Sequence, residues 1–131
     1  MPYYYHGPVA LKGRKPTGGI LRKTRDKRKR ELGRYPAFTV VGPQLVKVRR
    51  VMGGNRKLGL LRCDKVNLAV GNGEVKSVRI LDVVKNPSDV KLSRRKIITK
   101  GTIIKTELGL AVVTSRPGQD GTLNAVLMKE E

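Results

Sequence analysis

Basic side chains are the residues of this chain whose type and spacing indicate chemistry, and they crowd its first half. The segment "KPTGGILRKTRDKRKRELGRYP", residues 15–36, holds nine Lys or Arg side chains against two acidic ones. Such a run repels itself and cannot collapse into a core, so an acidic partner outside the protein is implied. Glycines at positions 13, 18 and 19 would let the backbone approach a phosphate ridge closely. The chemistry expected of this segment is phosphate neutralisation.

A second basic cluster lies in "VRRVMGGNRKLG", residues 48–59. The pattern is typical of a hairpin, in which Gly53, Gly54 and Asn55 supply the positive φ angles that a tight turn needs. Four cations flank this turn: Arg49, Arg50, Arg56 and Lys57. Guanidinium groups held there would face a phosphate backbone or a base edge. A plain structural hairpin explains the same pattern, and the two interpretations are compatible.

Two further features are weaker. In "TSRPGQDG", residues 114–121, the Pro-Gly and Asp-Gly pairs predict a structural loop, from which Arg116 would reach a phosphate. Tyr3, Tyr4 and Tyr5 would be able to stack on bases, although a tyrosine cluster in a disordered tail is equally well explained as incidental.

Catalysis finds little support in the sequence. The ten acidic side chains are scattered among basic or apolar neighbours, and Cys63 has only His6 available as a base. There is no nucleophile elbow of the G-x-S-x-G type and no phosphate-binding Walker loop. One cysteine and one histidine are too few for a thiolate or imidazole metal site. We therefore expect neither an enzyme nor a bound metal or cofactor.

The overall charge also indicates a polyanionic partner. The formal net charge is +19 and the sequence pI is about 10.8. Residues 1–65 carry 18 basic and 3 acidic side chains, whereas residues 66–131 carry 11 and 7. Such asymmetry indicates nucleic acid or an anionic membrane as partner. No apolar run approaches the roughly 20 residues of a membrane-spanning helix, and the first residues lack a signal-peptide pattern. The expectation is a soluble, intracellular protein.

The elements that must position these side chains change character at Pro36. Five Val, Leu or Ile residues precede it, and 31 follow in the 95 residues from Ala37 onward. The later part consists of short branched segments separated by Gly turns, which predicts a small barrel or sandwich of antiparallel strands. Within it, the alternation around Val90 and Leu92 predicts a half-buried strand. A short polar helix at residues 23–31 would be unstable alone.

Five segments together resemble the archaeal and eukaryotic type of small-subunit ribosomal protein eight. They are "RKPTGG" at residues 14–19, "KRKRELGR" at 27–34, "VRRVMGGNRKLGLLRCD" at 48–64, "RILDVVKNPS" at 79–88 and "SRPGQDG" at 115–121. The resemblance runs from about Arg14 onward. Eukaryotic members carry a long insertion before the last segment, and its absence here resembles the compact archaeal form. The opening "MPYYYHGPVALKG" departs from the family in being aromatic and nearly uncharged.

The resemblance implies a structural constituent of the small ribosomal subunit that binds ribosomal RNA in the cytoplasm. It implies an all-β fold, a small antiparallel β-barrel of about six strands at residues 37–131, preceded by a basic extension at residues 1–36 that is disordered when free. Expected partners are ribosomal RNA and neighbouring ribosomal proteins, with a monomer outside the ribosome. The candidate RNA-binding residues are Arg14, Lys15, Gly18, Gly19, Arg22, Lys23, Arg25, Lys27, Arg28, Lys29, Arg30, Arg34, Arg49, Arg50, Gly53, Gly54, Asn55, Arg56, Lys57 and Arg116.

Two other classes explain the charge without a ribosome. A free nucleic-acid-binding protein, such as an RNA chaperone or a small chromatin protein, would use the same electrostatics. Membrane-surface binding by the polybasic run is a third possibility, although the chain lacks an apolar helical face or a lipidation motif. A solvated tail or a nuclear-import address would also account for the basic run at residues 22–34, which includes "KRKR" at residues 27–30.

Overall fold

The computed structural model describes residues 4–5, 13–22, 25–26, 28–71 and 73–128. It divides into two compact units, Met1–Pro36 and Ala37–Glu131, each described here by itself. The strands within the described residues are β1 (Tyr4–Tyr5), β2 (Leu32–Gly33), β3 (Val40–Val41), β4 (Leu45–Arg50), β5 (Arg56–Cys63), β6 (Lys65–Gly71), β7 (Glu74–Lys85), β8 (Ile103–Thr106), β9 (Gly109–Val113) and β10 (Asn124–Leu127). Two short helices accompany them, α1 (Val90–Arg94) and α2 (Pro117–Asp120). The prediction of an all-β fold is confirmed.

Five strands of the larger unit close into a barrel, in the order β10-β6-β7-β8-β9. Neighbouring strands are antiparallel except at the closure, where β10 pairs with β6 in parallel. The parallel pair follows from the odd strand number, because five strands that alternate in direction leave the first and the last running the same way. The predicted small barrel is therefore confirmed, with five strands rather than about six and with one parallel pairing.

Aliphatic side chains fill the interior. Along β6 the alternation is regular, with Val66 and Leu68 buried and Lys65 and Asn67 exposed. The buried apolar residues that form one cluster are Leu60, Cys63, Val66, Leu68, Val78, Ile80, Val83, Ile98, Ile104, Ala111, Val113, Leu123 and Ala125. Period-two alternation of this kind places one face of each strand inside and leaves the other for polar groups.

A three-stranded sheet accompanies the barrel in the same unit. Its order is β3-β5-β4, with β3 parallel and β4 antiparallel to β5. The β4–β5 hairpin is the element that the sequence predicted around the Gly-Gly-Asn turn. Leu60 and Cys63 of β5 belong to the core cluster, so the inner end of this hairpin is anchored in the core of the unit.

The segment around Val90 and Leu92 forms helix α1, so the prediction of a half-buried strand there is wrong. Asp89 caps the helix, because its carboxylate accepts a hydrogen bond of 2.8 Å from the backbone N–H of Lys91. An alternation of only four residues fits a strand and a single helical turn equally well. The cap decides the outcome by satisfying an amide that the helix leaves without a partner.

The segment predicted as a loop at residues 114–121 contains helix α2. Pro117 occupies its first turn and Gly121 ends it in the left-handed conformation, with φ of 73°. This order, with Pro at the start and Gly at the end, suits a one-turn helix. The sequence prediction did not identify strand β6, although Val66 and Leu68 carry the alternation that is typical of a strand.

Candidate nucleic-acid interface

The register of the β4–β5 hairpin places cations opposite cations. Arg49 pairs with Lys57, and Arg50 pairs with Arg56. Residues opposite each other in an antiparallel ladder have Cβ atoms about 4.5–5.5 Å apart, and like charges at that distance destabilise the pairing. An anion bound between Arg49 and Lys57 would relieve this cost. The hairpin therefore presents positive charge at a position where it can bind a phosphate or another polyanion.

Alternation along the ladder gives the hairpin two different faces. One face, here named the cationic face, carries Lys47, Arg49 and Lys57 together with Gly59. The opposite face, here named the apolar face, carries Val46, Val48, Leu58 and Leu60, with Arg50 and Arg56 at its outer end. Because successive side chains of a strand point to opposite sides, a ligand must choose between these faces or wrap around the hairpin.

Positive φ angles were predicted for Gly53, Gly54 and Asn55, and the structure has them at the two glycines but not at Asn55. Gly53 and Gly54 have φ angles of 74° and 77°, in the left-handed region that favours glycine. Asn55 is extended, with φ of −67°, so the expectation of a positive φ there is wrong. The backbone N–H of Val51 donates to the carbonyl of Asn55 at 2.8 Å, which closes the turn.

Helix α2 packs against β5 beside these cations. A Cβ atom on Gly59 would lie 3.0 Å from the carbonyl oxygen of Gly118 and 3.8 Å from the guanidinium carbon of Arg49. A Cβ atom on Gly121 would lie 2.5 Å from the Cβ of Leu58. Glycines on both elements therefore permit a close approach of backbones. The predicted hairpin and the predicted Arg116 segment meet at this contact.

Arg116 lies at the start of α2, where its backbone is held by a cap. Its backbone N–H donates to the Asp120 carboxylate at 2.8 Å, and its side chain is exposed. The backbone of this cation is thus held by a local hydrogen bond next to the β4–β5 hairpin. Among the candidate residues of the larger unit, those of the hairpin and Arg116 lie in one region of the structure.

In the smaller unit, the segment "GRKPTGGIL" forms a tight hairpin. The N–H of Gly18 donates to the carbonyl of Lys15 at 2.9 Å, and the N–H of Lys15 donates to the carbonyl of Gly19 at 2.8 Å. Pro16 stands at the second position of this turn, which its fixed φ favours. Gly18 has φ of 82°. The side chains of the cations Arg14 and Lys15 are exposed there.

Arg25 forms an ion pair with Glu31 within the unit. The backbone N–H of Arg28 also donates to the Glu31 carboxylate at 3.2 Å. The hydrogen bond from Arg25, followed by that from Arg28, lowers the pKa of Glu31 to about 2. The same bond raises the pKa of Arg25. Arg25 is thus engaged with a carboxylate of the protein. The side chains of Arg22, Arg28, Arg30 and Arg34 are exposed.

Several predictions fall on residues that the structure does not describe. Lys23, Lys27, Tyr3 and His6 lie outside the described residues, and of Lys29 only the backbone is described. The polar helix predicted for residues 23–31 is represented by one 3₁₀ turn at Lys29–Glu31. Tyr4 and Tyr5 form strand β1, which pairs antiparallel with β2.

Catalytic and metal chemistry are not suggested by the described part of the chain. Burial raises the pKa of the Cys63 thiol, which donates a hydrogen bond to the carbonyl of Lys65 at 2.7 Å, so this thiol is poorly suited to act as a nucleophile. Three or more His, Cys, Asp or Glu side chains do not come together anywhere in that part. It also contains no helix that is long and apolar enough to cross a membrane.

A further pair of cations on the barrel was missed by the sequence analysis. Lys65 of β6 is paired with Arg79 of β7, so a second like-charged pair lies across a ladder. Both line a shallow groove of about 370 Å³ together with Ser77, Val78 and Glu107. The two residues are 14 positions apart and each is isolated in the sequence, so only the strand pairing reveals them.

Comparison with known proteins gives one consistent result. The family model described as ribosomal protein S8e matches residues 10–128. Three similar proteins are each named small ribosomal subunit protein eS8. The one from Staphylothermus marinus is 52% identical over 89% of this chain and 93% of its own length. The one from Saccharolobus solfataricus is 46% identical over 98% and 96%, and the one from Methanocorpusculum labreanum is 47% identical over 88% and 94%. A match of this extent, on a chain with this strand pattern and these basic segments, shows that the chain belongs to the ribosomal protein S8e family.

Proposed function

We propose that this chain is a structural constituent of the small ribosomal subunit, located with the ribosome in the cytoplasm, and that it binds ribosomal RNA. The names of the similar proteins support the subunit. The observation that carries RNA binding is the register of the β4–β5 hairpin, which pairs Arg49 with Lys57. Like charges directly across a ladder destabilise the pairing, and a polyanion bound at Arg49 and Lys57 would offset that cost.

The binding mechanism follows from the charge. Each Lys or Arg that meets a phosphate releases condensed counterions, and the entropy of that release favours association. RNA helices present their backbone and shape rather than an accessible major-groove pattern, so specificity arises from the spacing of many contacts. The hairpin and Arg116 supply cations on a fixed frame, while the basic segment at residues 14–34 supplies a high density of charge.

The two units are proposed to act differently. Residues 37–131 form a body with its own core, whereas residues 1–36 are a basic extension that orders when its charge is neutralised. Support comes from burial, because no side chain described at residues 13–36 is buried. A segment without buried apolar groups has little to offset the conformational entropy that ordering removes.

Sedimentation of a cell lysate tests the proposed function. The tagged protein should migrate with the small subunit and remain there after a high-salt wash, because many contacts on a folded particle dissociate slowly. Under the alternative function, a free RNA chaperone or small chromatin protein, the same wash would release the protein into the supernatant. A protein found mainly in the supernatant before the wash would contradict both the ribosomal location and a stable place among neighbouring ribosomal proteins.

A further inference from the structure

The apolar face of the β4–β5 hairpin is exposed along most of its length. At its inner end Leu60 is only 1% exposed and belongs to the core. Outward from there, Val46, Val48 and Leu58 are 36%, 57% and 45% exposed. Val48 and Leu58 are directly opposite each other in the ladder, so their side chains form one apolar cross-strand pair.

Positive charge lies next to this apolar pair, on the side towards the turn. Arg50 and Arg56 follow it on the same face, and Met52 in the turn beyond them is 91% exposed. No acidic residue occurs in the sequence between Glu31 and Asp64. An occupant that presents negative charge and a flat apolar surface close together therefore fits this face. Unpaired nucleotides have both, because each carries a phosphate and a base with an exposed π face.

We propose that the apolar face of the β4–β5 hairpin binds unpaired nucleobases of RNA. Val48 and Leu58 contact the faces of the bases, and the guanidinium groups of Arg50 and Arg56 stack on neighbouring bases or meet their phosphates. This inference rests on the proposed function, since it takes RNA as the partner, and it adds which part of an RNA the hairpin recognises. In a paired helix the base faces are stacked on one another, so a loop, bulge or single-stranded segment is required.

The two faces of the hairpin then have separable energetics. Contacts of the cationic face release counterions and depend on salt. Contacts of Val48 and Leu58 remove apolar surface from water, which involves no counterions. The apolar contribution should therefore be visible as a loss of affinity for unpaired RNA that leaves the salt dependence unchanged.

The test uses the full chain, a single-stranded RNA 12-mer of mixed sequence, and the fully paired duplex of the same strand. The variant is Val48→Thr with Leu58→Thr, which keeps β-forming side chains and every charge. Binding to the single strand should weaken about tenfold, since that factor corresponds to about 1.4 kcal/mol, close to the contribution of two buried CH₂ groups. Binding to the duplex should change less than about twofold, and the slope of log K against log[salt] should stay the same.

The matched control is Val75→Thr with Val126→Thr, which replaces two exposed residues of the barrel, 65% and 47% exposed, with the same side chain. This control should bind both RNAs as the unaltered chain does. A second variant, Val48→Phe, adds an aromatic face and should tighten binding to the single strand about threefold or more.

Several outcomes would overturn the inference. Equal losses on single strand and duplex, no loss on either, or a loss matched by the Val75/Val126 control would each do so. If the Val48/Leu58 variant binds RNA normally but does not enter the small subunit, the apolar face binds a protein instead. If the unaltered chain binds neither RNA, the proposed function fails as well, whereas binding to both without dependence on Val48 and Leu58 overturns this inference alone.

Discussion

Leu58 and Gly121 meet so closely that a Cβ atom on Gly121 would lie 2.5 Å from the Cβ of Leu58. Leu58 belongs to the hairpin, and Gly121 ends the helix that carries Arg116 at its start. The contact therefore links the two predicted basic features of the larger unit. The contact leaves no room for a side chain at Gly121, so a single methyl group there would push the helix and the hairpin apart.

Replacing Gly121 with Ala should destabilise the larger unit more than the same change at Gly54. Both glycines have similar φ angles, 73° and 77°, so both changes cost about 1–2 kcal/mol of backbone strain. A Cβ on Gly54 meets nothing within 4 Å, whereas one on Gly121 collides with Leu58. Overpacking adds about 1–3 kcal/mol. Chemical denaturation of both variants measures the difference, and equal free energies of unfolding would show that the contact yields freely.

Gly54→Val tests whether the turn must be rigid for RNA binding. A β-branched residue is poorly tolerated at φ of 77°, so the hairpin tip should distort although no charge is lost. Binding to ribosomal RNA should weaken by about 1–3 kcal/mol, measured by titration at one salt concentration. Gly54→Asn is the control, because Asn adopts the left-handed region more readily and should keep most of the affinity. Equal affinities of the two variants and the unaltered chain would remove any role for the turn geometry.

Long, regular features of this fold follow from the sequence. The whole of β7 was predictable, because twelve residues of branched and polar side chains lie between the turn signals "GNG" and "NPSD". The β4–β5 hairpin was equally clear from its Gly-Gly-Asn turn. In both cases the information is local, and neighbouring residues in the chain determine the structure.

Features that depend on distant contacts did not follow. Helix α1 was mistaken for a strand for a local reason, because the Asp89 cap that accepts a hydrogen bond from the Lys91 N–H was not recognised. The meeting of Gly59 with Gly118 joins positions about 60 residues apart, and neither neighbourhood signals the other. The Lys65 pairing with Arg79 likewise arises from strand register. The basic character of the interface was predictable, whereas its layout on two faces needed the fold.

Glu31 should report whether the extension is ordered. In the structure its pKa is about 2, against an ordinary 4.5, because Arg25 and Arg28 bind the carboxylate. A lowered pKa means that this ionised pair favours the ordered form fully above about pH 4.5, and that the contribution is lost as the pH falls through 2. If residues 1–36 are disordered when free, Glu31 should titrate near its ordinary value without RNA and shift downward when RNA is bound.

Nuclear magnetic resonance of the free and bound protein measures both the Glu31 titration and backbone order. Glu31→Gln is the control, since it removes the titration and the ion pair while keeping the size of the side chain. Backbone order parameters near ~0.85 through residues 23–30 of the free protein, with a strongly lowered Glu31 pKa, would contradict a disordered extension.

Salt should weaken RNA binding steeply. If about eight phosphates are neutralised, log K should fall against log[salt] with a slope of roughly −6 to −7. Titrations of the full chain between 50 and about 200 mM salt give this slope directly. A nearly flat response would mean that the basic segments are not the binding surface.

The extension and the hairpin should respond differently to loss of charge. Changing Lys27, Arg28, Lys29 and Arg30 to Ala should weaken binding to all RNAs alike and make the salt slope shallower, because a flexible segment responds to phosphate density. Changing Arg50 and Arg56 to Ala should act mainly on the cognate ribosomal RNA. The register holds these two side chains opposite each other, so only an RNA of matching geometry engages both. The expected loss is on the order of 1–3 kcal/mol per bidentate contact to a base edge.

The comparison requires cognate and scrambled RNA titrated at the same salt concentration with each variant. The ratio of the two affinities should stay constant for the change at residues 27–30 and fall for the change at Arg50 and Arg56. Circular dichroism controls for folding, because both side chains of the hairpin pair are exposed and their removal should leave the strand content intact. If the Arg50 and Arg56 change weakens both RNAs equally, the hairpin contributes positive charge without geometric recognition, and specificity must lie elsewhere on the protein.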